Sequence, residues 1–169
     1  MLYTHLLCML YTHVYQSMSS PIFICYLDAS KAFDRLNFWV LFDKLLKRGM
    51  PVIVVRILIY WYTSQNFYVQ WGSSVNEAFK SSNGTRQGGV ISPHFFNVYV
   101  DDLSSAVNDL NVGCFINHLC INHLMYADDT VLIAPSISIL QHLILVCEKY
   151  ASTSEIVFNV KKTLCVYQI

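Results

Sequence analysis

Two adjacent aspartates, Asp128 and Asp129, stand between two short apolar segments, 124–125 and 131–134. Both segments are typical of buried strands, and a two-residue hairpin turn between them would lift both carboxylates to the hairpin tip. Ionised carboxylates at neighbouring positions repel each other, so a fold keeps them close only where a positive charge compensates. The pair therefore indicates either a divalent-cation site or a solvated acidic turn, and both readings stay open on the pair alone.

A third carboxylate, Asp28, closes another predicted buried strand, the apolar run 22–27. If this strand end meets the hairpin tip, Asp28, Asp128 and Asp129 form a cluster of hard oxygen ligands. Such a cluster can hold two Mg²⁺ ions roughly 3.5–4 Å apart, the arrangement that phosphoryl-transfer enzymes use.

A second acidic pair, Asp101-Asp102, follows the run 95–100, which is predicted to be helical. Neighbouring helical side chains point about 100° apart, so this pair is not expected to chelate an ion together.

A glycine-rich segment, 83–93, lies between the two acidic elements. Its glycines let the backbone approach a ligand closely, and Arg86 and Gln87 supply donors suited to phosphate, sugar or base. Ser92 and Pro93 are the residue types of a helix N-cap and a first helical position. The segment therefore has the make-up of a ligand-binding loop that leads into a helix.

These elements, in this order, resemble the reverse transcriptase domain of non-LTR (LINE-type) retrotransposons. The resemblance covers nearly everything from about Pro21 to the C-terminus. Each matching string alone is weak, but four strings in order and correctly spaced are highly specific. The matching segments are 26–34, 84–93 with 96–97, 122–129 and 158–163.

The pattern of elements predicts an α+β fold. Without residues 37–82, the remaining order is strand, helix, two hairpin strands, helix, strand, which is the ferredoxin-like β-α-β-β-α-β order. The resemblance implies that this unit is a polymerase palm with part of a helical and hairpin fingers subdomain inserted. The expected division is a truncated fingers-side helical segment over 1–20 and a reverse transcriptase domain over 21–169. Within that domain we expect a palm over 21–36 and 84–169 and a fingers-like insertion over 37–83.

Helices are predicted where apolar residues recur at helical spacing after a capping residue or a proline. We expect one after Asn37, a nearly all-apolar and therefore buried one over 52–64, one over 94–108, and one after Ser136. A hairpin is predicted over 67–71 and 75–80, and two further strands near 157 and 164.

The resemblance assigns the acidic residues to metal-dependent catalysis. It implies that Asp28 and Asp128 ligate two Mg²⁺ ions, for which Mn²⁺ can substitute, and that Asp129 completes or supports the site. Lys162 matches a lysine that can protonate the departing pyrophosphate, and a positioned general acid contributes typically 10²–10⁴-fold. Lys161 is adjacent, so the sequence leaves the choice between the two lysines open.

The resemblance also implies a nucleotide and template site. Phe33 is expected to block the ribose 2′-hydroxyl and so select deoxynucleotides, although a core phenylalanine remains the alternative. Arg86 and Gln87 would contact the incoming nucleotide and the template. The remaining residues expected at this site are Gly88, Ser92 and Pro93.

The composition is less charged than such a function needs. The 169 residues carry zero formal net charge, and charged residues make up 13%, against roughly 25% in ordinary soluble domains. A free-standing nucleic-acid binder should be basic, so we interpret the shortfall as truncation. Basic fingers elements would precede this chain and a thumb would follow it. The expected partners are an RNA template, a DNA primer and deoxynucleoside triphosphates.

No membrane or secretory segment is expected. Residues 50–62 are apolar but too few to span a bilayer, and they include Pro51 and Arg56. The six cysteines form no CxxC pair, which favours reduced thiols in an intracellular ribonucleoprotein, nuclear or cytoplasmic. A zinc knuckle is a weaker interpretation, because strand alternation would point its fourth member away from the others. Its candidate ligands are Cys114, His118, Cys120 and His123.

Three alternatives to an active reverse transcriptase stay open. The chain could be a degenerate, inactive remnant, although all three acidic residues are present. An RNA-templated RNA polymerase palm also uses paired acids, but Phe33 disfavours it because such enzymes must admit a 2′-hydroxyl. A non-catalytic interaction module would instead expose a large apolar surface.

Overall fold

The computed structural model describes Met9, His13, residues 20–86 and residues 88–168. These residues form two compact units, one up to Ala32 and from Val100 onward, and a second over Phe33–Tyr99. The insertion expected over 37–83 lies inside the second unit, which extends further on both sides. Most of the helical segment expected over 1–20, and Gln87, lie outside the described residues.

The first unit combines helices with a four-stranded antiparallel sheet. The sheet is built from β1 (Ile22–Asp28), β6 (His123–Tyr126), β7 (Asp129–Ala134) and β8 (Leu164–Gln168), in the order β6-β7-β1-β8. Strand β1 is therefore central and pairs with β7 on one side and β8 on the other. Because β1 ends in Asp28, this residue lies next to the start of β7 and close to the segment that leads into β8.

Successive side chains along these strands enter two separate buried clusters. Cys25 and Leu27 of β1 join Leu132 of β7 in one cluster, whereas Ile24 and Val131 belong to the other. This is the period-two alternation of a pleated strand. Because both faces of β1 and β7 are buried, these two strands are largely apolar.

Two helices cover the first face of the sheet, and a hairpin covers the second. The helices are α3 (Ser92–Asn108), through its residues after 100, and α4 (Ile137–Thr153). The hairpin consists of β4 (Cys114–Ile116) and β5 (Leu119–Ile121), which the sequence analysis did not anticipate. Asn117 and His118 form its two-residue turn with φ of 51° and 81°, and asparagine is among the residues that tolerate such values.

The second unit contains α1 (Phe38–Lys47), α2 (Val52–Thr63), β2 (Gln70–Trp71), β3 (Ser74–Val75) and the start of α3. As predicted, α1 is capped by Asn37, whose side chain accepts hydrogen bonds from the amides of Trp39 and Val40. The hairpin of β2 and β3 is shorter than the predicted 67–71 and 75–80, although Phe67 and Phe79 still form a bridge beyond it.

The structure contradicts two of the sequence predictions. Helix α2 was expected to be buried throughout, but only Val55, Leu58 and Tyr62 are buried, since hydropathy alone does not say which faces find a partner. The strand predicted near 157 is absent from the described chain, where Phe158 makes a single bridge to Ala29. In the described residues, no helix combines the length and the apolar character needed to cross a membrane.

Candidate active site

The Asp128-Asp129 pair lies at the predicted hairpin turn. Tyr126 pairs with Asp129 across β6 and β7, which leaves Ala127 and Asp128 as a two-residue turn. Ala127 has a φ of 51°. A positive φ at this place normally favours glycine, and holding another residue there costs on the order of 1–3 kcal/mol. The flanking ladder must therefore impose this turn geometry on Ala127.

Asp28 and Asp129 are direct partners in the register between β1 and β7. Directly opposed residues of an antiparallel pair project from the same face, with Cβ atoms about 4.5–5.5 Å apart. Asp128 lies in the turn immediately before Asp129, so the backbone brings all three predicted acids to one end of the sheet. In their described conformations, however, no three His, Cys, Asp or Glu side chains lie close enough together to hold an ion. The donor chemistry fits a hard divalent cation, and convergence of the three carboxylates requires side-chain rotation.

A cationic side chain already lies beside Asp28. The Lys162 ammonium is 3.6 Å from Asp28 Oδ2, and the two side chains are 68% and 29% exposed. Such an exposed pair contributes at most about 1 kcal/mol to stability. Its importance is that it places the Lys162 ammonium beside Asp28. Between the two lysines that the sequence left open, Lys162 is the one whose ammonium pairs with Asp28.

Asn159 organises the loop that carries Lys162. Its backbone N–H donates to the Asp28 carbonyl at 2.7 Å, and its carbonyl accepts from the amides of Lys162 and Thr163. Its side-chain Oδ1 accepts from the Lys161 amide at 3.1 Å, which closes an Asx turn. The sequence analysis gave this residue no role, although Asn followed by a turn over the next residues is a recognisable Asx-turn signal.

The remaining predicted site residues lie in the second unit. Phe33 is half-buried and its ring lies 5.0 Å from that of Phe96, centroid to centroid. Arg86, Gly88 and Pro93 are exposed. These three positions are accessible to a ligand in the described structure.

Ser92 requires a correction. Its side chain is buried, accepts from the Thr85 hydroxyl at 2.7 Å and donates to the Arg86 carbonyl at 2.6 Å. It does not act as the predicted N-cap, since the helix already includes it. Ser92 instead ties the glycine-rich loop to the start of α3.

Comparison with known proteins decides the family. The sequence profile of the family described as "Reverse transcriptase (RNA-dependent DNA polymerase)" matches residues 4–168. The chain belongs to the reverse transcriptase family.

Its relatives include Pol polyproteins of R2 retrotransposable elements. The chain is 33% identical over 118 residues to the "Retrovirus-related Pol polyprotein from type-2 retrotransposable element R2DM" of Drosophila melanogaster, covering 66% of this chain and 10% of that protein. It is 27% identical over 113 residues to the corresponding R2 polyprotein of Nasonia vitripennis, covering 67% of this chain and 11% of the relative. The resemblance to non-LTR retrotransposons is thus confirmed, and the chain spans about a tenth of these relatives.

Solved structures show the same fold. An apo telomerase of Candida tropicalis truncated of its C-terminal domain superposes with a TM-score of 0.73 at 13% identity, covering 98% of this chain and 35% of that one. A telomerase of the same organism in complex with a fragment of telomeric RNA gives a TM-score of 0.67 at 13% identity, covering 88% and 26%. The reverse transcriptase domain therefore has the mixed helix and sheet fold of this family.

A buried polar network supports the hairpin of this reverse transcriptase domain. The Asn122 amide group donates to the Val107 carbonyl at 3.0 Å, which leaves its side-chain oxygen to accept from His123 Nδ1 at 2.8 Å. His123 Nε2 then accepts from the Ser104 hydroxyl at 2.7 Å. Burial lowers the pKa of His123, so the imidazole favours the neutral form that this network uses. The network fixes the start of β6, and sequence reasoning missed it because Asn122 interrupts an apolar run without any periodic signal.

The glycine-rich loop is held within the second unit by backbone hydrogen bonds. The Gly84 amide donates to the Leu36 carbonyl and the Thr85 amide to the Phe33 carbonyl, each at 2.8 Å. Gly84 has a φ of 93°, and a Cβ there would lie 2.9 Å from the Asp34 carbonyl oxygen, so only glycine fits. A cavity of about 470 Å³ opens beside this loop, lined by Asp34, Arg86 and the aromatic rings of Tyr62, Phe67 and Phe79 among others.

The Asx turn gives a test of how the lysine loop is held. We expect Asn159→Ala to accelerate hydrogen exchange of the Lys161 amide, because the substitution removes its acceptor. Asn159→Asp keeps a side-chain oxygen at that place and should retain most of the protection. Amide exchange followed by NMR on the purified chain measures both variants. Equal protection in wild type and Asn159→Ala would contradict the turn.

Proposed function

We propose that this domain, within a longer protein, carries out RNA-templated DNA synthesis. The reaction joins the primer 3′-hydroxyl oxygen to the α-phosphorus of a deoxynucleoside triphosphate and breaks the bond to pyrophosphate. The observation that carries the proposal is the register that sets Asp28 opposite Asp129, with Asp128 in the adjoining turn and Lys162 3.6 Å from Asp28.

The four-stranded sheet with α3 and α4 is proposed to be the polymerase palm. The order β6-β7-β1-β8, with one helix before the hairpin and one after it, supports a ferredoxin-like arrangement. The proposed division is a palm over 21–36 and 84–169 and a fingers-like part over 37–83. A fingers-side segment over 1–20 completes this proposal.

The acidic residues are proposed to hold the catalytic cations. Asp28 and Asp128 would ligate both ions, and Asp129 would complete the site or orient its neighbours. When bound, two Mg²⁺ ions, or Mn²⁺ in their place, supply the positive charge that acidifies the 3′-hydroxyl and stabilises the leaving group. The protein positions Asp28 and Asp129 for them on paired strands and Asp128 in the tight turn between β6 and β7, and such elements are more rigid than a long loop.

Lys162 is proposed as the general acid. Its ammonium holds the proton at Nζ and would donate it to the departing pyrophosphate oxygen. Asn159 acts as a positioning residue, since its turn fixes the backbone of Lys162 while its own N–H binds the Asp28 carbonyl. The lysine and the central acid are thus supported by one short loop.

The second unit is proposed to bind the nucleotide and template. Arg86 is exposed and carries donors that match phosphate oxygens, and Gly88 exposes backbone in the same loop. Gln87, Ser92 and Pro93 belong to the same proposal. The aromatic-lined cavity beside Arg86 has the composition of a surface on which single-stranded bases stack. The proposed partners are an RNA template, a DNA primer and deoxynucleoside triphosphates.

Cation binding can be tested on the chain itself. Paramagnetic Mn²⁺ should broaden the amide resonances of Asp28, Asp128 and Asp129 selectively. Asp28→Asn and Asp128→Asn should each weaken Mn²⁺ binding by at least about tenfold, because each removes a charged ligand. Asp101→Asn is the matched control, since this exposed aspartate belongs to an acidic pair on α3 and should leave binding unchanged. Broadening centred away from the β6–β7 turn would refute the cation assignment.

Catalysis is tested in a longer protein that contains this domain. Asp128→Asn should lower primer extension on an RNA template by more than about 100-fold, because metal-held charge stabilisation is worth several kcal/mol. The 169-residue chain alone is expected to extend primers poorly, since its net charge is zero and phosphate contacts dominate nucleic-acid affinity. An inactive longer protein that still binds Mn²⁺ would identify the domain as a degenerate remnant.

Phe33 is proposed to select deoxynucleotides. In the longer protein, Phe33→Val should raise the ratio of ribonucleotide to deoxynucleotide incorporation, because a smaller side chain admits the 2′-hydroxyl. The control is Phe95→Val, which alters a buried ring of α3 and should lower incorporation of both substrates alike. If Phe33→Val also lowers both equally, the ring that packs on Phe96 is a core residue. The same ratio separates this function from an RNA-templated RNA polymerase, which would accept ribonucleotides without any substitution.

A further inference from the structure

Two cysteine thiols face each other between β1 and the edge strand β8. Cys25 of β1 and Cys165 of β8 are direct partners in the antiparallel register, and their Sγ atoms are 2.7 Å apart. This separation is shorter than the van der Waals contact of two unbonded sulfur atoms. Neither residue has a part in the proposed polymerase reaction.

The backbone already has the geometry that a disulfide needs. Opposed residues of an antiparallel pair have Cα atoms about 4.5 or 5.5 Å apart, depending on the type of pair. Both values lie within the range of about 4.4–6.8 Å seen in disulfides. A small rotation of the two side chains therefore suffices to join the sulfur atoms, without movement of either strand.

The two thiols differ in their access to solvent. Cys25 is completely buried, whereas Cys165 lies on the sheet's terminal strand and is exposed. An oxidant from solution therefore meets Cys165 first. Burial and the contact with Cys165 raise the pKa of Cys25, which makes Cys25 the slower of the two thiols to react.

We propose that Cys25 and Cys165 form a modification site, a thiol pair that a low-molecular-weight disulfide such as oxidised glutathione converts to an intrachain disulfide. The Cys165 thiolate attacks one sulfur of the reagent, the reagent S–S bond breaks, and one glutathione leaves as a thiol. Cys25 Sγ then attacks Cys165 Sγ, the bond from Cys165 to glutathione breaks, and the Cys25 proton passes to the departing glutathione sulfur. Two protein thiols are oxidised, and one reagent disulfide is reduced to two thiols.

The bond would act on the neighbourhood of the acidic site. Cys25 precedes Asp28 by three residues, and Cys165 follows Lys162 by three residues. A covalent link between them would hold β8 against β1 three residues away from Asp28 and from Lys162. Exchange of the β8 amides should slow on oxidation, because an edge strand held covalently opens less often.

Peptide mapping of the complete chain tests the proposal. Trypsin releases Cys165 in peptide 163–169 and Cys25 in peptide 1–31, which also contains Cys8. The experiment therefore uses Cys8→Ser as the parent. The reduced protein is treated with oxidised glutathione, its remaining thiols are alkylated, and its tryptic peptides are weighed. We expect peptides 1–31 and 163–169 joined, at two hydrogen masses below the sum of the free peptides, and separated again by dithiothreitol.

The controls use positions that are safe to change. Cys165→Ser alters an exposed residue and should abolish the joined peptide, while Cys120→Ser, at a partly exposed position outside the pair, should leave it in place. The oxidised parent should also unfold at a higher urea concentration than the reduced parent, and Cys165→Ser should remove that difference. A glutathione adduct that persists on Cys165 without closure would overturn the proposal. So would a link from peptide 1–31 to peptide 87–149, which carries Cys114, Cys120 and Cys147, in place of the link to 163–169.

Discussion

The antiparallel register between β1 and β7 is the constraint on which the site depends. A slip of one residue would turn every side chain of β1 to the opposite face of the sheet. Leu27 would then leave the cluster that it shares with Leu132, and Ile24 would leave the cluster of Val131. Both faces of β1 and β7 are buried by different partners, so no slipped pairing keeps the core. The same register is what places Asp28 opposite Asp129.

The core therefore sets Asp28 opposite Asp129, a placement that like charges oppose. Like charges directly opposite each other in an antiparallel pair are destabilising, and cross-strand pair terms are roughly 0.2–1 kcal/mol. Each buried Leu, Ile or Val side chain contributes about 1.5–3 kcal/mol in the other direction. Several such residues on β1 and β7 outweigh the repulsion, and the neighbouring Lys162 ammonium reduces it further. The burial of apolar side chains on β1 and β7 thus keeps Asp28 and Asp129 opposite each other.

Sequence reasoning reached the elements whose signals are local. Asn37 and Ser136 do cap their helices, and Asp128 does lie in a two-residue turn. It failed where the outcome depends on distant partners, as with Ser92, whose hydroxyl is taken by Thr85 and Arg86 rather than by its own helix.

The same distinction applies to surfaces and to the active-site loop. The apolar residues of α2 give no sign of which of its faces packs within the unit, so the predicted complete burial was wrong. Asn159 supports the Lys162 loop partly through its backbone hydrogen bond to the Asp28 carbonyl. That partner is distant in the chain, so the sequence pattern around Asn159 does not reveal it.

The pairing of β1 also sets the order in which the sheet can form. Its two partners, β7 and β8, follow it in the chain by about a hundred residues or more, a separation that slows folding. Until they emerge, an apolar strand with two open edges has nothing to pair with, and such segments aggregate readily. The hairpin of β6 and β7 can close at once, because its strands are joined by two residues. In a growing chain, the acidic turn is therefore complete before the strand that carries Asp28 docks against it.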